Sequence, residues 1–214
     1  ETAYLSNSDY KIYGEIIPHK EKDFQHMGKN NIYNLKYYFQ ELGYLMATKT
    51  LPLLDLKLTK SELLKGEEIL SSCVSDSTKK TILIFTFATG AKLHSKEWWN
   101  EFYKKLENSF GASYNILEVL PMENVSQIDF KASSFYSKSI REIASVTANA
   151  SVFIGADSGI MHFAIASKVA TIGLFSVTRE DMYSPYGNGS FSFNTNNKTT
   201  TNLIEELTTL LGSK

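Results

Sequence analysis

Cysteine is nearly absent: the one thiol in 214 residues, Cys73, leaves no partner for an internal disulfide and excludes a cysteine-based zinc site. No thiolate-activating neighbour surrounds it, so it reads as a packing residue in a protein of a reducing compartment. Concentrated positive charge is missing too. The 22 Lys and Arg offset 23 Asp and Glu to a net charge of −1, and no basic stripe suited to a phosphate backbone is present. A nucleic-acid partner is therefore not expected, and any anion site must be local. No apolar run is long enough to span a bilayer and no signal-peptide pattern opens the chain, so a cytoplasmic protein is expected. The sequence contains no G-x-x-x-x-G-K-[ST] loop, no G-x-G-x-x-G after a strand, no H-E-x-x-H and no G-x-S-x-G elbow. His19 and His26 lie far from any acidic or cysteine partner pattern and read as surface residues.

What is present is an ordinary globular composition, 43% hydrophobic and 21% charged, with enough length for one α/β domain and a piece of another. The chain begins at Glu1 without a methionine, which suggests a piece of something longer. Tyrosines are gathered in its first part, as in a segment that covers another surface. There Tyr10-Lys11-Ile12-Tyr13 reads as an edge strand. Asn31–Leu42 reads as a helix, with Ile32, Leu35, Tyr38, Phe39 and Leu42 at helical spacing and Gly43 at its end. Thr50–Lys57 is an extended connector, and Ser61–Ser72 a helix with Leu63, Leu64, Ile69 and Leu70 inward.

From Thr81 onward strands and helices alternate. Thr81–Phe87 is a continuous apolar, β-branched run of the kind buried on both faces of a parallel sheet, and Tyr114–Leu120, Ser151–Ala156 and Val169–Phe175 read as the next three strands. Between and after them, Lys96–Phe110, Ser139–Asn149, Ile160–Ser167 and Asn202–Leu211 read as helices, the second with Ile140, Ile143, Ala144 and Val146 or Thr147 inward. This pattern predicts an α/β fold, a parallel sheet with right-handed crossovers and helices on both faces, whose ligands bind at the carboxyl ends of the strands.

Three loops fall at those ends. Ser151 to Ala166 is a strand, an Asp157-Ser158-Gly159 turn and a helix start, where backbone N–H groups and Gly159 make a seat for a phosphate or diphosphate. An ordinary turn in which Asp157 or Ser158 only caps the helix fits the same residues. A free carboxylate would repel an anion, so Asp157 is expected to cap and brace the turn, with His162 one turn further on. Ser158 with His162 lacks an orienting acid and does not make a hydrolase pair. The second loop, Ala88-Thr89-Gly90-Ala91-Lys92 followed by Lys96 and Trp98, offers hydroxyl, N–H and ammonium donors to phosphate, or is a solvated loop before a helix with Trp98 in the core. The third, Pro121-Met122-Glu123-Asn124, places a carboxylate where a ribose could be held, or simply exposes it.

Phe153 to Ala164, the run Val169–Phe175, Ser184-Pro185-Tyr186-Gly187, and Ala88-Thr89-Gly90 with Lys96-Glu97-Trp98 together resemble the glycosyltransferase family 9 heptosyltransferases, in order over roughly the last two-thirds of the chain. Ile160, Trp99, Ala170 and Ser176 depart from that family's usual residues. The resemblance implies a GT-B enzyme of two Rossmann-like domains, of which residues 59–214 are the carboxyl-terminal, nucleotide-sugar-binding one. Residues 1–58 would then be the tail of the amino-terminal acceptor domain and the linker. It implies that Thr89, Gly90, Lys96, Asp157, Ser158, Gly159 and His162 hold the donor diphosphate, and that Glu123, Phe135, Tyr136 and Lys138 lie at the ribose and base. A nucleoside-diphosphate sugar, ADP-heptose foremost, would be the substrate, with no cofactor and no metal. The acceptor would be a glycan or glycolipid of the bacterial surface such as lipopolysaccharide core, met at the inner face of the cytoplasmic membrane. The catalytic base is expected in the missing amino-terminal domain. The rival expectation is a non-catalytic nucleotide-binding module acting through a partner chain, with the early aromatics as its interface.

Overall fold

The computed structural model describes residue 23 and residues 25–44 and 51–212. His19 and the edge strand expected around Tyr10 lie outside them. In chain order the elements are α1 (Asn30–Glu41), α2 (Lys60–Cys73), β1 (Lys80–Phe85), a 3-10 turn (Gly90–Lys92), α3 (Lys96–Phe110), β2 (Tyr114–Val119), β3 (Ser133–Phe135), α4 (Ile140–Ala148), β4 (Val152–Ala156), α5 (Gly159–Ala166), β5 (Ala170–Phe175), α6 (Glu180–Tyr183), β6 (Phe191–Asn194) and α7 (Thr200–Gly212). They fall into two compact units. The first takes the described residues up to Pro52 together with Arg179–Ser184, and the second takes Leu53–Thr178 and the described residues from Pro185. The connector 53–58 thus goes with the second unit, where the Leu56 N–H donates to the Ala166 carbonyl at 3.0 Å.

The second unit is built on a six-stranded sheet, parallel throughout, in the order β3-β2-β1-β4-β5-β6. β1, β4 and β5 are buried on both faces, as their apolar runs require. Ile82, Ile84, Val152, Ile154 and Ile172 point to one face, where Trp99, Phe102 and Leu106 of α3 and Leu203 and Leu207 of α7 meet them. Alternate residues, Leu83, Phe85 and Phe153, are buried toward the other face. Each large side chain so enclosed stabilises the fold by about 1.5–3 kcal/mol. The Ser95 side chain caps α3 through the Trp98 N–H, and Trp99, Phe102, Tyr103, Leu106 and Phe110 follow at helical spacing. The tryptophan that fills the core is Trp99; Trp98 is half-buried and stacks on Phe102.

Two strands escape sequence patterning. β3 is three residues, Ser-Ser-Phe, and β6 lies in the polar stretch after β5; both are edges paired on one side only. In α2 the buried residues are Gly66 and Leu70, while Leu63 and Leu64 are exposed, because the helix approaches α4 so closely that a side chain at Gly66 would meet the Ser145 carbonyl at 2.3 Å. Ile140, expected inward, is also exposed.

In the first unit α1 buries Tyr33 and Asn34, leaving Leu35 and Leu42 of the expected apolar stripe exposed. Gly43 does end the helix, at φ +84°, with its N–H on the Gln40 carbonyl. His26 is not a surface residue: it is buried, with Nδ1 accepting from the Gly28 N–H at 3.1 Å and Nε2 donating to the Ser184 carbonyl at 2.7 Å.

Candidate functional site

Strand order reverses between β1 and β4, which are neighbours in space but separated by two strands and two helices in sequence. Loops leaving two such strands turn to opposite sides and open a crevice at their carboxyl ends. A cavity of about 570 Å³ lies there, within the second unit. Its walls are the β1 exit (Phe85, Phe87, Ala88, Thr89), Lys92 of the 3-10 turn, the β2 exit (Leu120 to Glu123), Ser137 and Lys138 with Ile140 and Ile143 of α4, and Ser158, Gly159, Ile160 and Phe163 of the central turn and α5.

The turn after β4 is shaped for a close approach. Ser158, in extended conformation, is the N-cap of α5 and its hydroxyl accepts from the Met161 N–H at 3.4 Å. The N–H groups of the first helical turn have no intrahelical acceptor and face outward. A Cβ on Gly159 would meet nothing within 4 Å, so that side of the turn is open space. Gly173 of β5 sets the seat of α5 beneath it, since a side chain there would meet Met161 Sδ at 2.5 Å.

Asp157 does not cap the helix. It is buried, its N–H donates to the Leu174 carbonyl at 3.1 Å, and its carboxylate lies 3.7 Å from Lys92 Nζ and 4.0 Å from His162 Nε2. The carboxylate is thus a counter-charge for Lys92, which removes the repulsion an anion would otherwise feel. Of the expected diphosphate residues, Thr89, Ser158 and Gly159 line the cavity; Gly90 turns behind Thr89 at φ +62°, and Asp157 and His162 stand behind the wall. Lys96 does not line it: its ammonium pairs with Asp129 at 2.5 Å. The lysine that this loop contributes to the cavity is Lys92, which sequence alone does not distinguish from Lys96. Of the ribose and base residues, Glu123 and Lys138 line the cavity, while Phe135 is buried with its carbonyl taking the Leu120 N–H at 2.9 Å. Tyr136 is exposed on the rim, its hydroxyl 3.5 Å from the Met122 carbonyl. Among the described residues no group of three or more His, Cys, Asp or Glu could hold a metal ion, and no helix is long and apolar enough to cross a membrane.

A six-stranded parallel sheet with helices on both faces is a Rossmann-like α/β architecture, the kind that GT-B glycosyltransferases contain. Residues 137–208 match the model of glycosyltransferase family 9 (heptosyltransferase), and this carboxyl-terminal part of the chain is family 9-like, as its loops implied. The fold is similar to that of a glycosyl transferase family 9 protein from Veillonella parvula at TM-score 0.68 and 16% identity, covering 85% of this chain and 60% of that one. It is also similar to the E. coli ADP-heptose lps heptosyltransferase II at TM-score 0.62 and 16% identity, over 78% of this chain and 56% of that one. The E. coli heptosyltransferase WaaC with ADP aligns at TM-score 0.59 and 15% identity, over 83% and 55%. The chain therefore spans little more than half the length of these structures. No curated protein matches in sequence.

Proposed function

We propose that this chain is the donor-binding half of a heptosyltransferase-type glycosyltransferase, holding a nucleoside-diphosphate sugar, ADP-heptose foremost, for transfer to a surface glycan such as lipopolysaccharide core. The observation that carries this reading is that Thr89, Lys92 and the Ser158–Gly159 turn line one cavity. Hydroxyl, N–H and ammonium donors gathered around one space at a helix N-terminus suit a diphosphate, with Lys92 shared between Asp157 and the ligand. Glu123 on the adjacent wall would take the ribose hydroxyls, and Lys138 with the apolar side chains of Met122 and Ile140 would enclose the base.

The chemistry assigned to these groups is electrostatic. As the glycosidic bond breaks, negative charge grows on the departing diphosphate, and preset N–H groups and an ammonium stabilise it without reorganising. No metal is required by this arrangement, and the base that activates the acceptor hydroxyl would come from an amino-terminal domain. Transfer itself would take place at the inner face of the cytoplasmic membrane.

Calorimetric titration with ADP, UDP and GDP, repeated on Gly159→Val, tests the reading. Gly159 has open space around it, so valine is tolerated by the fold but intrudes where the ligand must come. The expected outcome is selective ADP binding, weakened at least about ten-fold by the substitution, the equivalent of about 1.4 kcal/mol. Binding of none of the three nucleotides, or equal binding by Gly159→Val, would sink it.

A further inference from the structure

One group beneath the cavity has no part in the reading above. Glu118 interrupts the apolar run of β2, is fully buried and has no cationic partner among the described residues. Each carboxylate oxygen instead accepts from one hydroxyl: Oε1 from Thr86 at 2.6 Å and Oε2 from Ser126 at 2.7 Å. Those hydroxyls are themselves acceptors. Thr86 Oγ1 takes the Gln127 N–H at 3.1 Å, and Ser126 Oγ takes the N–H groups of Ile128 and Phe130 at 3.1 and 3.0 Å. The segment so held carries two non-glycine residues in the left-handed region, Asp129 at φ 54° and Phe130 at φ 56°, a conformation that persists only where surroundings enforce it.

Each hydroxyl sits on a segment that also contributes to the cavity lining. Thr86 immediately precedes Phe87, Ala88 and Thr89, and Ser126 lies three residues after Glu123 in the loop that carries Met122 and Glu123. We propose that Glu118 is a positioning residue, a buried carboxylate strap that holds the β1 exit and the 121–130 loop at one spacing so that Thr89 and Glu123 face the same ligand. The carboxylate suits this task because it only accepts, so both hydroxyl protons are drawn to it and both hydroxyl lone-pair sets stay free for backbone N–H groups. Burial without a counter-ion is costly, and it pushes the Glu118 pKa up against the pull of the two hydroxyl bonds. A cost of that kind is retained where a network specifies one geometry.

For its ligand the inference rests on the proposed donor site, but the strap can be judged without one. Glutamine at position 118 keeps one acceptor oxygen and turns an N–H₂ toward the other hydroxyl; if that is Ser126, its lone pairs are already taken. Amide hydrogen exchange is to be followed residue by residue in the whole chain. Glu118→Gln is expected to speed exchange at Gln127, Ile128 and Phe130 by at least about ten-fold, the loss of roughly one charged hydrogen bond, with β4 and β5 amides unchanged. The single legs separate: Thr86→Val is expected to free Gln127 alone, and Ser126→Ala to free Ile128 and Phe130. ADP affinity in Glu118→Gln is expected to fall about ten-fold in parallel. A uniform rise across loop and sheet in all three variants would show a general packing role and overturn the strap, as would loosened loop amides with ADP affinity intact. If the unsubstituted chain binds no ADP, the donor reading fails, while the leg-by-leg exchange pattern still decides for or against the strap.

Discussion

At the scale of single residues, the site turns on which of two lysines four positions apart carries its charge. Lys96 opens α3 on the exposed surface and is engaged by Asp129, whereas Lys92 lines the cavity beside Asp157. Lys92→Ala is accordingly expected to weaken ADP binding by about 1.5–3 kcal/mol, the range for a hydrogen bond to a charged group, and Lys96→Ala by less than about 0.5 kcal/mol. Parallel titrations of the two variants check this, and a larger loss from Lys96→Ala would return the phosphate to the other lysine. The loop, its glycine and its threonine were legible in the sequence because hydroxyl and N–H donors at a strand end have a recognisable composition. Side-chain direction was not. It depends on the 3-10 turn Gly90–Lys92, which rotates Lys92 inward, and on Asp129, thirty-three residues downstream, which draws Lys96 outward.

At the scale of elements, the close contact of α2 and α4 is the most demanding piece of packing. Gly66 meets the Ser145 backbone directly, and around it the Asn149 amide donates to the Leu63 carbonyl at 3.0 Å while Arg141 pairs with Glu62. Glu62 also closes the capping box of α2 with Thr59; Arg141 and the Thr59 donors together hold its pKa down to about 2. Since the atom opposite Gly66 is backbone, it cannot swing away, and Gly66→Ala is expected to cost at least about 2 kcal/mol. In thermal melts that is a fall in Tm of about 4–8 °C for a chain of this size; an unchanged Tm would mean the helices separate freely. Central strands and most helices announced themselves in the sequence by long apolar runs and by 3.6-residue spacing. Gly66 carried no such mark: a helix that docks through a glycine leaves its leucines outside, so periodicity pointed to Leu63 and Leu64 rather than to the true contact. The edge strands β3 and β6 were invisible for a related reason, as a strand paired on one side needs no unbroken apolar run.

At the scale of the whole molecule, buried titratable groups give the fold a pH dependence whose sign can be worked out. His94 bridges the 3-10 turn to the exit of β6: its Nε2–H donates to Thr195 Oγ1 at 2.9 Å, because that hydroxyl already donates to the Phe175 carbonyl at 3.0 Å. Nδ1 is buried with no hydrogen-bond partner among the described residues, and burial lowers the pKa from its ordinary 6.5. His26 is lowered as well, chiefly by burial, and protonating its Nδ1 would cost the Gly28 hydrogen bond. For both histidines the unfolded chain binds the proton more tightly, so their contribution to stability is complete above pH 6.5 and is lost as pH falls toward the lowered folded values. Glu118 has the opposite sign. Its pKa is raised from 4.5, so the cost of burying its charge grows as pH rises from 4.5 through the folded value. Tm is therefore expected to fall on acidification from pH 7.5 toward 5.5, with Glu118 partly opposing the trend at the acid end. His94→Gln keeps an N–H donor within reach of Thr195 and does not titrate, so melts of this variant over the same range should show a shallower slope than the unsubstituted chain. An identical slope would assign the acid sensitivity to other groups, with His26→Gln as the next variant to melt.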